Sequence, residues 1–365
     1  MLAIDKIVDR QVIKALDLEP EETAKLVGLR YVKADSLQII RQKVGRGFSY
    51  LDAKGDRITD EAELQRLKDL TIPPALSDVF ICHLPNGHLQ ATGRDTKRRK
   101  QYFYHPDWRK IRSQNKFNRM LLFGASLPLI RETTERHLRK RGLPREKVLA
   151  TVIQLLETTL IRVGNHQYAK KNRSFGLTTL RDRHVEVTGT KVQFEFRGKS
   201  GVDHQIELKD RRLAKVIKKC QEIPGYEIFK YYDANGERHF VDSGDVNEYL
   251  QQITDRDFTA KDFRTWAGTL LAAIELDELG EFDSDKQAKK NIVSAIKQVA
   301  KQLGNRPATC RKYYVHPAIL EAYEDGLLLN LMSETTNINI ESPANELNPE
   351  EKVVLKIIEQ AIPRP

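Results

Sequence analysis

The hydrophobic and polar positions change their periodicity near residue 105, and this change divides the chain into two parts. In the first part, short runs of alternating apolar and polar residues predict β-strands. These runs are residues 37–44, 48–51, 57–59, 79–83, 88–91 and 101–104. The turn Pro85-Asn86-Gly87 joins two of the runs and predicts a hairpin. Asp60 and Glu63 have the spacing of a capping box, which predicts a helix that extends to Leu70.

After residue 106 the apolar positions recur at helical spacing, which predicts a mainly α-helical second part. Its long amphipathic segments are residues 107–123, 127–141 and 144–163. Strand-like alternation at 183–187, 191–196 and 203–208 predicts a small antiparallel sheet, after which helices resume to about residue 329. Near the C-terminus, Asn348 and Pro349 predict the start of one more helix, with Val354, Leu355 and Ile358 on one face.

These patterns predict an α+β fold with three consecutive regions. Residues 1–105 are expected to form a β-rich N-terminal domain, and residues 106–330 a mainly helical domain that contains the small antiparallel sheet. Residues 331–365 are expected to form a polar tail with a short helix. A chain of 365 residues is long enough for two or three domains.

The net charge of the chain is positive, with 61 Lys and Arg against 51 Asp and Glu and a formal value of +10. This excess makes a polyanion a candidate partner, although simple solubility explains it equally well. No apolar run has the roughly 18 residues of a membrane helix, so membrane insertion is not expected. The three scattered cysteines argue against a disulfide framework and favour a reducing cytoplasm.

Several cofactor classes are not expected from the motifs. The sequence contains neither GxxxxGK[ST] nor GxGxxG, so nucleotide and dinucleotide sites are not predicted. No Cys/His cluster has metal-ligand spacing. We therefore expect an activity without a cofactor.

A basic segment precedes the last predicted strand of the first part. Arg94-Asp-Thr-Lys-Arg98-Arg-Lys has five basic residues in seven, and Gln101, Tyr102 and Tyr104 follow it. Basic residues beside aromatic ones suit phosphate contacts and base stacking. A solvated charge run beside half-buried tyrosines is the alternative, but the continuity of these residues favours nucleic acid.

Four isolated residues in the second part could together carry out chemistry on a phosphate. Arg162 ends the predicted apolar helix, where it could complement the helix C-terminus or hold phosphate oxygens. Lys199 lies between glycines at the tip of a predicted hairpin, where a lysine is usually solvated but could act as a general acid. Arg264 lies between Phe263 and Trp266, so it must pair with a carboxylate or bind an anion.

The fourth residue is Tyr314, on a short basic segment after a Gly-Asn-Arg-Pro sequence. A phenol is a weak nucleophile, and its attack on a phosphodiester needs cations near the non-bridging oxygens and an acid for the leaving oxygen. Arg162 and Arg264 could be these cations, and Lys199 could be the acid. Each assignment is weak alone, but the ordered set is much stronger.

Specific motifs cover roughly two thirds of the chain, from about Ile72 to Pro317. They are Ile72-Pro-Pro, Gly87-His-Leu-Gln-Ala-Thr-Gly-Arg-Asp95, Gln101-Tyr-Phe-Tyr104, Ile161-Arg-Val-Gly164, Tyr168, Gly176-Leu-Thr-Thr-Leu180, Gly198-Lys199, Lys261-Asp-Phe-Arg-Thr265, Leu303-Gly-Asn-Arg-Pro307 and Cys310-Arg-Lys-Tyr-Tyr314. In these motifs the sequence resembles the type IB DNA topoisomerases of the small poxviral and bacterial kind.

The resemblance implies relaxation of supercoiled DNA without metal or ATP. A tyrosine attacks the phosphodiester, forms a 3′-phosphotyrosyl intermediate and frees a 5′-hydroxyl, the broken strand swivels, and the hydroxyl reseals it. Position by position, Tyr314 resembles the nucleophile and Lys199 the general acid, while Arg162 and Arg264 resemble the phosphate-binding arginines. The resemblance also implies a monomeric, nucleoid-associated protein whose helical domain is catalytic and whose two lobes clamp duplex DNA.

The resemblance further implies DNA contacts by Gln101, Tyr102, Tyr104 and Tyr168, and the basic segment adds Arg94 and Arg98 as candidates.

The chain departs from the poxviral pattern at Asn305, where that pattern has histidine. Asparagine can donate a hydrogen bond to a phosphate oxygen but cannot titrate, so we expect transition-state stabilisation and no proton transfer from this residue. The adjacent Tyr313 leaves a second candidate nucleophile, although the spacing favours Tyr314.

Two other functions remain possible from the sequence. A tyrosine recombinase shares the tyrosine and arginine chemistry, but such enzymes typically carry His-x-x-Arg where this chain has Lys261-Asp-Phe-Arg264. They also usually begin with a helical DNA-binding domain, whereas the first part of this chain is predicted to be β-rich. A non-catalytic DNA-clamping protein would bind DNA in a salt-sensitive manner without a covalent adduct.

Overall fold

The computed structural model describes residues 20–45, 47–96, 100–336 and 345–362, without the side chains of 111–116, 118, 335 and 336. The chain divides into two compact units between Asn118 and Arg119. The first unit is built around an antiparallel sheet and the second is mostly helical, which confirms the predicted α+β class.

The N-terminal unit contains a five-stranded antiparallel sheet with the strand order β2-β1-β3-β4-β5. The strands are β1 (Ile39–Val44), β2 (Gly47–Leu51), β3 (Ser77–Ile81), β4 (Leu89–Arg94) and β5 (Lys100–Tyr104). Two helices accompany the sheet, α1 (Pro20–Leu26) and α2 (Glu61–Asp69). Apolar side chains of the sheet and of α2 form one core, in which Leu67 and Ile81 are almost fully buried.

Local sequence signals explain much of this unit. Asp60 caps α2 as predicted, because its carboxylate accepts a hydrogen bond from the backbone N–H of Glu63 at 2.7 Å. The predicted hairpin is the β3–β4 pair, with Ile81 opposite Ala91. The strand predicted at 57–59 is wrong, since Arg57 makes only an isolated bridge to Leu51.

One buried arginine holds the proline-containing segment after α2. The guanidinium of Arg41 donates hydrogen bonds to the carbonyls of Ile72, Pro73 and Leu76 at 2.9, 3.1 and 3.0 Å. These three acceptors satisfy a cation that is only 9% exposed, and they fix the segment against the sheet.

The second unit is mainly helical. Helix α3 (Pro106–Leu138) crosses the division between the units. The following helices are α4 (Arg145–Thr159), α5 (His166–Asn172), α6 (Arg211–Gln221), α7 (Ser243–Thr254), α8 (Ala260–Leu279), α9 (Asp285–Gln302), α10 (Pro307–Tyr313), α11 (Pro317–Glu324), α12 (Leu327–Thr336) and α13 (Pro349–Gln360).

The predicted antiparallel sheet is present as β6 (Val185–Thr188), β7 (Lys191–Arg197) and β8 (Asp203–Lys209). Residues Lys199–Gly201 form the turn between β7 and β8, with Ser200 at a positive φ of 64°. A second, two-stranded sheet was missed, namely β9 (Lys230–Tyr232) and β10 (Arg238–Phe240).

The helices α3 and α4 have different bounds from those predicted. The segments predicted as two helices, 107–123 and 127–141, form the single helix α3 with Pro128 inside it. Gly124 lies inside this helix, and glycine is required there because a β-carbon would lie 2.3 Å from the Trp266 ring. Helix α4 ends at Thr159, where Leu160 takes a left-handed conformation, so Arg162 lies beyond the helix instead of in its last turn.

The C-terminal helix α13 is part of the core of the second unit. It begins as predicted, with Asn348 as N-cap and Val354, Leu355 and Ile358 buried. Its Glu351 is 2% exposed and pairs with Arg131 at 2.7 Å, while Arg131 also pairs with Glu157 at 2.8 Å. The indole N–H of Trp266 donates to Glu351 at 3.3 Å, which ties α13 to α8 two residues from Arg264.

Candidate active site

Tyr314 follows the last residue of α10 and is held there by its backbone. Its N–H donates to the carbonyl of Cys310 at 2.9 Å, and its own carbonyl accepts from the hydroxyl of Thr269 at 3.3 Å. A β-carbon at Gly268 would lie 2.5 Å from the Tyr314 carbonyl oxygen. Helix α8 therefore approaches the Tyr314 backbone so closely that only glycine fits at position 268.

The two adjacent tyrosines differ in their surroundings. Tyr313 is 45% exposed, and the amino group of Lys312 lies 5.3 Å from the centre of its ring. Tyr314 is half-buried, and the guanidinium carbon of Arg264 lies 5.6 Å from the centre of its ring. The structure therefore brings the ring of Tyr314 against a predicted phosphate-binding arginine.

Arg264 is a buried cation on the first turns of α8, only 4% exposed. Its side chain donates to the backbone carbonyls of Leu160 and, at 2.6 Å, Leu303, while its Nε has no hydrogen-bond partner among the described residues. Burial and the positive charge of Arg162 lower the pKa of Arg264 to about 10. Among the described residues no carboxylate forms an ion pair with it, so the structure favours the anion-binding alternative.

A capping box formed by Thr259 and Asp262 orients the first turn of α8. The Asp262 carboxylate accepts from the backbone N–H and the hydroxyl of Thr259, at 2.8 and 3.0 Å. The same carboxylate has Arg119 as an ion-pair partner at 3.6 Å. The Asp262 carboxylate therefore interacts with Thr259 and Arg119. This agrees with the finding that Asp262 does not pair with Arg264.

Arg162 is joined directly to Asn305. Its Nη2 donates to the Asn305 side-chain oxygen at 2.5 Å and to the Gly304 carbonyl at 3.2 Å. Burial lowers the pKa of Arg162, while the nearby Tyr314 hydroxyl opposes that shift. Arg162 and Arg264 therefore lie close enough to Tyr314 to act on the same phosphate.

The side-chain amide nitrogen of Asn305 is a further hydrogen-bond donor at the site. Since a guanidinium can only donate, the amide oxygen must face Arg162. The amide nitrogen is buried, and in the part of the chain that the structure describes it has no hydrogen-bond partner. An unsatisfied buried donor beside two cations is suited to an anionic oxygen.

The backbone around Arg162 is fixed by hydrogen bonds and by a close contact with Gly176. The N–H groups of Leu177 and Thr178 donate to the carbonyls of Arg162 and Val163 at 2.9 and 2.7 Å. A β-carbon at Gly176 would lie 2.4 Å from the Arg162 carbonyl oxygen. This close contact positions Arg162 although it lies outside any helix.

Lys199 is the predicted catalytic residue that the structure does not bring into this cluster. It is exposed in the turn between β7 and β8. Within the described parts of the chain, no hydrogen bond or ion pair links its amino group to Arg162, Arg264, Asn305 or Tyr314. Its role as the general acid remains a prediction.

The predicted DNA-contacting residues of the N-terminal unit that the structure describes lie on β4 and β5. Tyr102 is 48% exposed and stacks on Tyr104 with ring centres 6.1 Å apart. The Gln101 amide donates to Asp95 at 3.2 Å, and Arg94 pairs with Asp78 at 3.7 Å. Arg98 lies outside the described residues.

Two further surfaces of the second unit carry candidate DNA contacts. Tyr168, on α5, is 56% exposed. Sequence reasoning missed an exposed face of α9 that carries Lys286, Lys289, Lys290 and Lys297. In the described part of the chain none of these four lysines has an ion-pair partner. Their spacing of three, four and eleven residues from Lys286 is the signal that could have identified this face.

Comparison with known proteins agrees with this architecture. The family described as "Eukaryotic DNA topoisomerase I, catalytic core" matches residues 105–337, and "Bacterial DNA topoisomerase IB, N-terminal domain" matches residues 47–95. DNA topoisomerase 1B of Acanthamoeba polyphaga mimivirus is 30% identical over 294 residues, which cover 79% of this chain and 88% of the relative. DNA topoisomerase 1B of Vaccinia virus (strain Copenhagen) is 27% identical over 287 residues, covering 76% and 87%.

These matches define the class as DNA topoisomerases, isomerases that act on DNA. The chain belongs to the type IB family within that class. Both parts of the chain match topoisomerase sequences. These matches favour a topoisomerase over a tyrosine recombinase or a non-catalytic DNA-binding protein. No helix in the described residues has the length and apolar character needed to span a membrane.

Proposed function

We propose that this protein relaxes supercoiled DNA by transient cleavage of one strand through a 3′-phosphotyrosyl intermediate at Tyr314. The observation that carries the proposal is the position of the Tyr314 ring, 5.6 Å from the buried guanidinium carbon of Arg264. Arg162 and Asn305 complete a site that holds two cations and one unsatisfied amide donor. Such a site fits a single phosphodiester.

The arginines and Asn305 stabilise the charge that develops during the attack. The Tyr314 oxygen forms a bond to phosphorus while the bond from phosphorus to the 5′ oxygen breaks, and the non-bridging oxygens gain negative charge. Arg162 and Arg264 neutralise that charge, and the Asn305 amide nitrogen donates to one of the oxygens. Removal of one such donor typically costs about 10²- to 10³-fold in rate.

The reaction needs no external energy source because each step exchanges one phosphoester for another. The covalent intermediate conserves the bond energy while the free strand swivels. Attack by the 5′-hydroxyl then restores the DNA and releases Tyr314. We therefore propose that neither ATP nor a metal ion takes part.

Lys199 is proposed to donate the proton to the departing 5′ oxygen and to accept it back during religation. In the absence of DNA its amino group is exposed at the turn between β7 and β8. Contacts of a general acid often form only in the complex with substrate, so this position is compatible with the role. Docking of the turn against DNA would complete the site.

Both units are proposed to contribute to binding of duplex DNA. In the N-terminal unit, residues 1–105 would act as the DNA-binding domain through Arg94, Arg98, Gln101, Tyr102 and Tyr104. In the remainder, residues 106–330 would form the catalytic domain, with Tyr168 as a further contact, and residues 331–365 the tail. The protein is proposed to act as a monomer associated with the nucleoid.

The test is relaxation of a supercoiled plasmid in EDTA without ATP, with the wild type, Tyr314→Phe and Tyr313→Phe. We expect relaxation and a covalent DNA adduct with the wild type and with Tyr313→Phe, and neither with Tyr314→Phe. An adduct that persists in Tyr314→Phe would refute the nucleophile assignment. If the wild type relaxed the plasmid without EDTA but not with EDTA, independence from metal ions would be refuted.

A further inference from the structure

His204 occupies the space between two segments that each carry a proposed catalytic residue. A β-carbon at Gly198 would lie 2.6 Å from Cδ2 and Nε2 of the His204 ring. A β-carbon at Gly304 would lie 2.9 Å from Cε1 of the same ring. Gly198 directly precedes Lys199, and Gly304 directly precedes Asn305.

The imidazole of His204 is itself held in a defined orientation. His204 lies opposite Phe196 in the β7–β8 pair, and the two rings stack with centres 5.0 Å apart and planes 16° apart. Phe196 is buried, so it provides a fixed surface for the imidazole. Together with Arg162, the ring also lines a cavity of about 10 Å³, which leaves room for one water molecule at most.

The electrostatic surroundings keep this ring uncharged. Burial, with the positive charges of Arg162 and Arg264, lowers the pKa of His204. A neutral imidazole can pack beside the two arginines without adding a third positive charge to the site. Its proximity to both cations also shows that His204 lies beside the phosphate-binding cluster.

We propose that His204 is a positioning residue that sets the base of the Lys199 turn against the Gly304–Asn305 turn. The inference rests on the proposed function, because it concerns the same reaction. The ring contacts the residue before each catalytic group, so a shift of the ring moves Lys199 and Asn305 relative to each other. A misplacement of about 1 Å can reduce a rate by about 100-fold.

Gly198 offers a clean probe of this contact. Its φ of −94° suits alanine, and apart from His204 the nearest atom to an added β-carbon is the Val202 carbonyl oxygen at an ordinary 3.5 Å. Gly304 is less suitable because its φ of 58° would strain alanine regardless of His204. The Gly198→Ala change therefore reports on the His204 contact alone.

The experiment measures single-turnover cleavage by the full chain, with Gly198→Ala, His204→Ala and the double variant. We expect Gly198→Ala to slow cleavage at least about 10-fold in the wild-type background and less than about 3-fold in the His204→Ala background. The exposed His83 provides the control His83→Ala, expected to cleave at the wild-type rate. Equal costs of Gly198→Ala in both backgrounds would overturn the inference.

A second measurement separates positioning from general loss of structure. A substrate with a 5′-bridging phosphorothiolate has a leaving group that needs no acid. We expect this substrate to restore part of the cleavage lost in Gly198→Ala and in His204→Ala, because Lys199 is displaced in both variants. It should not restore all of the lost cleavage, because the altered ring also displaces Asn305. No restoration in Gly198→Ala would contradict the inference even if His204→Ala failed to fold.

These outcomes are distinct from failure of the proposed function. If the wild type formed no adduct at Tyr314, the proposed function itself would be wrong. If the wild type formed the adduct and His204→Ala cleaved at the same rate, only the role of His204 would be rejected.

Discussion

Replacement of Gly268 by alanine should impair chemistry far more than folding. Gly268 lies inside α8, and a β-carbon there would be 2.5 Å from the carbonyl oxygen of Tyr314 and 3.1 Å from its Cβ. Ordinary contacts of this kind begin at 3.4 Å, so the Tyr314 backbone must move by about 0.9 Å. The nucleophile would therefore be displaced from Arg264.

The magnitude follows from two opposing effects on stability and one on rate. Overpacking costs about 1–3 kcal/mol, and the better helix propensity of alanine returns about 1 kcal/mol. The net loss is small against a domain stability of about 5–15 kcal/mol, so the protein should remain folded. Displacement of a reacting group by nearly 1 Å costs about 100-fold in rate, equivalent to about 2.7 kcal/mol.

The assay is single-turnover cleavage of a duplex whose short 5′-hydroxyl strand dissociates after cleavage. DNA binding and thermal unfolding are measured on the same preparations. Gly47→Ala is the matched control, since its β-carbon would meet only the Val44 carbonyl oxygen at 3.9 Å. If Gly268→Ala cleaved at the wild-type rate while remaining folded, the proposed dependence on Tyr314 placement would be wrong.

Three other variants test separate parts of the structure. Asn305→Ala should slow single-turnover cleavage by about 10²-fold because it removes the unsatisfied amide donor, whereas an unchanged rate would exclude that donor from the transition state. Changing Lys286, Lys290 and Lys297 together to Gln should reduce the slope of log DNA affinity against log salt concentration by up to about 2.7. The slope is measured by DNA titration at several salt concentrations, and an unchanged slope would show that this face of α9 does not contact DNA. Burial lowers the pKa of His316 to about 4 in the folded protein. His316 therefore binds a proton more tightly in the unfolded chain than in the folded one, and the free energy of unfolding should fall by up to about 3 kcal/mol as the pH drops from about 6.5 to 4. His316→Asn keeps an acceptor for the Ala318 N–H and should flatten that pH dependence of the unfolding free energy, and a retained slope would assign it to other groups.

Some elements were predictable because their signals are local. The Asp60 and Thr259 caps, the Pro85-Asn86-Gly87 hairpin and the Asn348 N-terminus of α13 all depend on residues within a few positions of each other. The two predicted helices that form α3 show the limit of this approach. The helix is continuous through Gly124, where Trp266, far along the chain, packs too closely for any side chain, and the local sequence did not indicate this.

In the candidate site, too, some features have local sequence signals and others depend on long-range packing. The order and spacing of Arg162, Arg264 and Tyr314 predict them as site residues from the sequence, because the motifs around them are specific. Their mutual contacts were not predictable, since the Arg162–Asn305 hydrogen bond joins residues 143 positions apart. The role of His204 had no sequence signal, because it depends on glycines that approach the ring from two distant segments.

By itself, the sequence determined the α+β class and the family, and it supplied most of the residues proposed to perform the chemistry. Each of these depends on periodicity, turn residues or short motifs, which act over a few positions. Only the tertiary structure distinguished Tyr314 from Tyr313 by their surroundings and showed that Arg264 has no carboxylate partner among the described residues. Those facts depend on which backbone segments approach each other, and long-range packing alone decides that.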